Sequence, residues 1–340
     1  MNRPHLTFAC ELEPEPLTAL LDQPGVIESL RALNAAVSLG LLDRSPERAA
    51  AVRRLNAAGV PVTAWLLLPK DQGYWFNAGN WAQATACWDA VVRWTEEEAL
   101  RWSGVGLDFE PDYREMGALV ERRFGDVAPA IARRAFDEER IRTAQAADAG
   151  LVEQIRAGGY PVETYHIPFI VDERRARSTL LRRLFGLVDA PTDREVLMLY
   201  TSFLGDVGPG ILWSYGAEAG GIGVGSTGGG VAEGAIFRAM TWEELARDLR
   251  LAARLTGEVF IFSLEGCAGA GYLERLPGFD WDAAVDIPAA GAQRVGVARA
   301  GFQGALWAGS HPFAVALAAA TLIMLLSGGR RRRLSRRLRA

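Results

Sequence analysis

The chain has 340 residues, 49% of them hydrophobic and 23% charged, a balance that allows one large domain or two ordinary ones and excludes wholesale disorder. Its three cysteines (Cys10, Cys87, Cys267) and three histidines (His5, His166, His311) are too few and too scattered for a disulfide framework or a Cys/His metal site, so neither metal nor cofactor is expected. The net charge of −4 hides a split: the end of the chain, RRRRLSRRLRA, holds seven arginines and leaves 30 basic against 41 acidic residues in the body, which is not the pattern of a nucleic-acid binder.

From the first residues to about 290, short apolar runs alternate with helical patterns. The runs His5–Glu11, Ala35–Leu42, Val60–Leu68 and Gly104–Glu110 are predicted strands, as are Val162–Ile167, Glu195–Thr201, Gly221–Gly225 and Glu258–Glu265. Ser45-Pro46-Glu47 is a helix start with proline in the first turn, and that helix ends at Gly59. Residues 114–158 form a longer helical stretch than one crossover needs, two helices or an insertion. Thr241-Trp242-Glu243-Glu244 reads as a capping box before the last strand.

Eight strands alternating with helices over about 285 residues predict a (β/α)8 TIM barrel occupying residues 1–290. An open doubly wound sheet is the rival, but Cys10-Glu11-Leu12-Glu13 follows the first strand where that fold carries glycines. Residues 291–303 read as a linker. Residues 304–329 carry no formal charge and are predicted to be a single C-terminal transmembrane helix, since about 20 apolar residues span a bilayer; a buried core helix is the alternative. Residues 330–340 form the arginine-rich tail. The arginine excess puts the tail in the cytoplasm and the barrel outside, although MNRPHLTFACELEPEP has no apolar signal-peptide core.

Barrel chemistry gathers at the C-terminal ends of the strands. On the fourth, alternation points Leu107 and Phe109 at the helices and Asp108 and Glu110 at the interior. Two inward carboxylates repel and are desolvated, which raises a pKa as a general acid requires; a structural, ion-paired or helix-capping pair is the plain alternative. On the first strand Thr7, Ala9 and Glu11 share a face, with Glu13 just beyond. On the sixth Met198 and Tyr200 share a face, and on the fifth either Tyr165 or His166 points inward. On the eighth, Phe260, Phe262 and Leu264 form one face and leave Ser263 and Glu265 inward. Tyr74, Trp75, Phe76 and Trp81 follow the third strand and Tyr113 the fourth. Flat aromatic faces beside carboxylates suit a polysaccharide or glycan, with Trp75, Tyr74, Tyr113, Glu11, Glu13 and His166 as candidate contacts; a loop folded on its own aromatic cluster is the alternative.

Asp108-Phe109-Glu110 resembles the last half of the D-x-x-D-x-D-x-E motif of family 18 glycoside hydrolases, and Met198-Leu199-Tyr200-Thr201 is similar to their M-x-Y-D motif. The resemblance implies a barrel glycosidase that protonates the glycosidic oxygen with Glu110. Asp108 and Tyr200 would position the substrate's N-acetyl group as internal nucleophile, a departure from the two-carboxylate scheme. The two earlier aspartates of the motif fall on Ser103 and Gly106, and the last on Thr201. Asp108-Phe109-Glu110-Pro111 also looks like the Glu-Pro ending of clan A glycosidases; Glu265 is then the nearest second carboxylate. Two rival readings remain: a catalytically inactive carbohydrate-binding or structural barrel, and an enzyme for a phosphorylated substrate held at Gly223-x-Gly225-x-x-Gly228. Cys10 and Cys267 end neighbouring strands and could pair if the barrel is outside the cell.

Overall fold

The computed structural model describes residues 3–229, 238–314 and 317. Eight parallel strands close into a barrel in sequence order. They are β1 (His5–Cys10), β2 (Ala36–Leu41), β3 (Val62–Leu66), β4 (Gly104–Phe109), β5 (Val162–His166), β6 (Arg194–Met198), β7 (Gly221–Gly225) and β8 (Glu258–Phe262). Closure is direct: Thr7 pairs with Ala36 on one side and with Phe260 on the other. Each predicted strand is present, trimmed by up to four residues, and β6 begins one residue early.

The helices of the first half are α1 (Pro14–Asp22), α2 (Val26–Leu33), α3 (Pro46–Ala57), α4 (Trp81–Glu97), α5 (Tyr113–Val120), α6 (Phe124–Arg134) and α7 (Glu138–Ala157). Those that follow are α8 (Phe169–Arg175), α9 (Leu180–Phe185), α10 (Gly208–Gly216), α11 (Trp242–Ala253), α12 (Leu264–Gly269) and α13 (Ala289–Ser310). Ser45 accepts the Arg48 N–H at the start of α3, and Thr241 and Glu244 form a reciprocal capping box on α11, each satisfying amides that a helix start leaves bare. The long stretch after β4 holds α5, α6 and α7; α7 leads into β5, and α5 and α6 are the insertion.

Alternation divides each strand. Leu6, Phe8 and Cys10, Val37 and Leu39, Leu107 and Phe109, and Val259 and Ile261 join the helices in one outer core. Trp65, Leu67, Tyr165, Val196, Phe260 and Phe262 fill the interior. The eighth strand thus differs from expectation: Phe260 and Phe262 point inward. Ser263 then ends the strand and caps α12, accepting the Gly266 N–H at 3.1 Å, which sends Leu264 outward into the helix layer.

An interior of fixed diameter cannot hold a large ring from every strand. Glycines on β4 and β7 supply the room. A Cβ on Gly106 would lie 2.7 Å from Tyr165 Oη, one on Gly221 3.1 Å from Phe260, and one on Gly223 3.3 Å from the Tyr200 ring.

The C-terminal region departs from the sequence reading. Residues 291–303, read as a linker, are helical: they lie within α13, which packs on α10, α8 and α9. Arg299 is 7% exposed and pairs with Asp172 at 2.9 Å and Glu218 at 2.7 Å. Gly210 and Gly291 let the backbones of α10 and α13 approach, a Cβ on Gly210 falling 2.8 Å from the Gly291 carbonyl carbon. An Ala/Gly-rich segment with few charges looks like a linker, but its small residues are what permit close helix packing. The first part of the expected membrane span also belongs here: residues 304–310 end α13, with Leu306 buried against Leu181 and Leu187. Among the described residues no helix is long and apolar enough to cross a membrane. Residues 315–316 and 318–340, with about half of the expected span and the whole arginine tail, lie outside the described residues. Cys10 and Cys267 are buried free thiols, unpaired with one another.

Candidate active site

Four carboxyl side chains meet at the C-terminal mouth: Glu11 just after β1, Asp108 and Glu110 at the end of β4, and Glu265 in the first turn of α12. Asp108 is 2% and Glu11 6% exposed. Asp108 and Glu110 are close neighbours, and each charge acts on the other's ionisation. Burial pushes Glu110 up to about 7, the Glu11 charge adds to the rise, and its hydrogen bond with Asp108 opposes it. Asp108 is raised by burial, then by the charges of Glu110 and Glu11, and its Oδ1 has no hydrogen-bond partner. Burial also holds Glu265 up to about 7; it accepts the Glu11 N–H at 3.4 Å, while its Oε2 is buried and unbonded.

Aromatic rings wall this cluster. The Tyr74 hydroxyl donates to Glu11 Oε1. Tyr74, Trp75 and Tyr113 pack mutually with centroids 5.5–5.8 Å apart, continuous with the barrel's interior aromatic cluster. Tyr200 lies against Phe262 at 5.7 Å, and burial beside Asp108 and Glu110 keeps it a neutral phenol. The exposed Lys70 ammonium stands 5.4 Å from the Tyr113 ring and 5.9 Å from the Tyr74 ring.

The β3–α4 loop is held by its own sequence. Gly73 takes φ 105° and Tyr74 φ 65°, a left-handed region that favours glycine. Asn80 accepts the Asn77 N–H at 2.8 Å and donates to the carbonyls of Gln72 and Trp75. Phe76 then pairs with β4: its N–H donates to the Asp108 carbonyl at 2.8 Å, and its own carbonyl accepts the Glu110 N–H at 3.3 Å. The rim aromatics and the Glu110 backbone are thereby one hydrogen-bonded unit.

The expected contacts divide. Glu11, Tyr74, Trp75, Tyr113, Asp108, Glu110, Tyr200 and Glu265 converge at the mouth. Glu13 is exposed at the start of α1, on the periphery. His166 lies on the other side of the sheet, stacked on Phe109 at 5.6 Å and pushed down to about 4 by burial; Tyr165 is the residue that points inward, its hydroxyl bonded to Ser38 and Glu163 at 2.6 Å. The positions where the family 18 motifs differ also have local causes. Tyr165 fills the space beside Gly106, Ser103 is exposed before β4, and Thr201 donates to the buried Asp248 of α11. Sequence reasoning missed Trp65, Phe262 and Lys70; β3 reads as an apolar run interrupted only by Thr63, and the inward turn of Phe262 has no signal in simple alternation.

The glycine motif after β7 does not form an anion cradle at residues 226–228. The Ser226 N–H donates to Ser202 Oγ, Thr227 N–H to the Phe262 carbonyl and Gly228 N–H to Ser226 Oγ. Among the described residues no group of three or more His, Cys, Asp or Glu side chains is placed to hold a metal ion.

The sequence matches no protein-family model and no curated protein. Among solved structures the chain is similar to a GH18 chitinase from Pseudoalteromonas aurantia, at 8% identity and TM-score 0.48, over 81% of this chain and 100% of that one. It is similar to a D-allulose 3-epimerase from Methylomonas sp., at 11% and 0.45, over 82% and 98%. A chitinase from Chromobacterium violaceum aligns at 13% and 0.41, over 80% and 99%. What the chain shares with them is the eight-stranded barrel.

Proposed function

We propose that the chain is a glycoside hydrolase-like barrel that cleaves a glycan with Glu110 as general acid. The observation that carries this is a carboxyl group held up to about 7 at the end of β4, beside Asp108 and under aromatic rings. A neutral Glu110 donates its proton to the glycosidic oxygen as the bond from that oxygen to the anomeric carbon breaks. In the substrate-assisted scheme that the motif resemblance implies, the substrate's acetamido oxygen closes on the anomeric carbon. Asp108 holds the acetamido N–H and Tyr200 orients the group. The Glu110 carboxylate then takes a proton from the water that reopens the ring, and the acid is restored.

The test compares the full chain in detergent with its Glu110→Gln variant on a polysaccharide panel. Turnover lost with binding retained supports the assignment; turnover retained removes Glu110 from the role. The second reading, a barrel that binds sugar without cleaving it, is favoured by Tyr165 occupying the space beside Gly106, where an aspartate would otherwise back Asp108. Binding without turnover in both proteins establishes that reading instead.

We further propose that the segment after Pro312 continues into a membrane anchor with the arginine tail in the cytoplasm, supported by its lack of formal charge before Arg330. The full chain is then expected in alkali-resistant membranes and a chain stopped after Pro312 in the supernatant. Equal release of both refutes the anchor.

A further inference from the structure

A cavity of about 320 Å³ lies beside the β3–α4 loop, walled by that loop and by residues of α4, α5, α6 and α7. Its volume is at the low end for small-molecule sites, roughly 300–1,000 Å³. The lining is mostly polar, and two of its cations are matched: Arg114 pairs with Asp112 at 2.6 Å and Arg134 with Glu115 at 2.6 Å. Arg140 is different. Its Nη1 is buried with no hydrogen-bond partner, although the group lies in the cavity wall. Two glycines leave room around it: a Cβ on Gly186 would sit 3.1 Å from Nη2 and one on Gly79 3.7 Å away. Burial and the neighbouring Arg134 act against its charge and outweigh the charges of Asp137 and Glu115, which favour it. A half-buried guanidinium without an acceptor is unfavourable by itself, and its planar fork is the donor that fits a carboxylate with two parallel bonds.

We propose that this cavity binds a hydroxylated monocarboxylate of monosaccharide size, a uronic acid unit, with its carboxylate on Arg140. One guanidinium with no hydrogen-bonded acceptor favours a single negative charge, and the exposed Asp71 at the rim disfavours more. Gln72 and Gln83, also in the lining, supply amides that suit sugar hydroxyls. The site contains none of the carboxyl groups assigned to cleavage, so it stands or falls separately from the glycosidase reading.

The experiment is calorimetric titration of the full chain in detergent with glucuronate, glucose and inorganic sulfate. Saturable binding of glucuronate with none of glucose is expected, weakened about tenfold or more in Arg140→Gln and several-fold in Arg140→Lys, which keeps the charge without the fork. Glu110→Gln should bind glucuronate like the wild type. Arg140→Gln should unfold at close to the wild-type temperature, because the buried Nη1 has no hydrogen bond to lose; if it does not fold, Arg140→Lys decides. Absence of glucuronate binding, equal affinity in both Arg140 variants and the wild type, or sulfate binding as tight as glucuronate overturns the proposal.

Discussion

Glu110, Glu265 and Asp148 each keep a proton up to about pH 7, against ordinary values of 4.5, 4.5 and 3.8. Between the ordinary and the raised value the folded chain binds more protons than the unfolded one. Their contribution is therefore full below the ordinary value and is lost as pH rises through 7. His166 has the opposite sign, moved from 6.5 down to about 4, and lowers stability only as pH falls through its ordinary value. From pH 8 to 6.5 the carboxyl groups dominate, so the unfolding temperature should rise on acidification; a flat profile would mean that they are ionised in the fold. Asp148 separates this effect from the mouth: it is 1% exposed on α7, and its Oδ2 has no partner. Asp148→Asn should stabilise the chain at pH 8 by on the order of 3 kcal/mol and much less at pH 4, measured by chemical denaturation, with no change in turnover. Hydrolysis itself should fall as pH rises through about 7, where Glu110 loses its proton.

At the scale of elements, α13 and the β3–α4 loop make opposite demands on sequence reading. Arg299 joins α13 to Asp172 of α8, which is fully buried and also takes the Tyr215 hydroxyl. Arg299→Met leaves that buried carboxylate without its counter-charge, held only by the Tyr215 and Gln303 hydrogen bonds, and should cost about 3–5 kcal/mol, with α13 becoming the first site of limited proteolysis; an unchanged cleavage pattern would show that the helix is held by its apolar contacts alone. The capped helices α3 and α11 were legible because Ser45, Pro46 and Thr241 act locally. α13 was not, since its burial depends on Asp172 and Glu218, more than 80 residues earlier in the chain. The loop is intermediate: Gly73 and its aromatic run marked it as unusual, but only the fold pairs Phe76 with β4. Asn80→Ala removes three hydrogen bonds that shape the loop and should weaken glycan binding more than it lowers turnover of bound substrate, read as a larger change in KM than in kcat.

Across the whole barrel, large rings face missing side chains. The period-two pattern made the eight strands and the facing of Asp108, Glu110 and Tyr200 readable, because each obeys simple alternation from a clear apolar run. It left Tyr165 and His166 undecided, since both are aromatic and only the space at Gly106 favours one of them. Restoring the family 18 pattern with Gly106→Asp should therefore fail: the new side chain meets the Tyr165 hydroxyl, and overpacking of this kind costs roughly 1–3 kcal/mol. The double change Gly106→Asp with Tyr165→Phe should recover part of that loss in a denaturation midpoint; no recovery would place the strain elsewhere in the interior.

Lys70 is the only lysine in the chain, and its ammonium stands over the rings of Tyr74 and Tyr113 at the rim of the mouth. An amine-reactive dye finds a single side-chain amine to label, and that amine lies beside the carboxylates. The sequence thus carries its own attachment point for a fluorescent reporter of occupancy, set against the rings of Tyr74 and Tyr113.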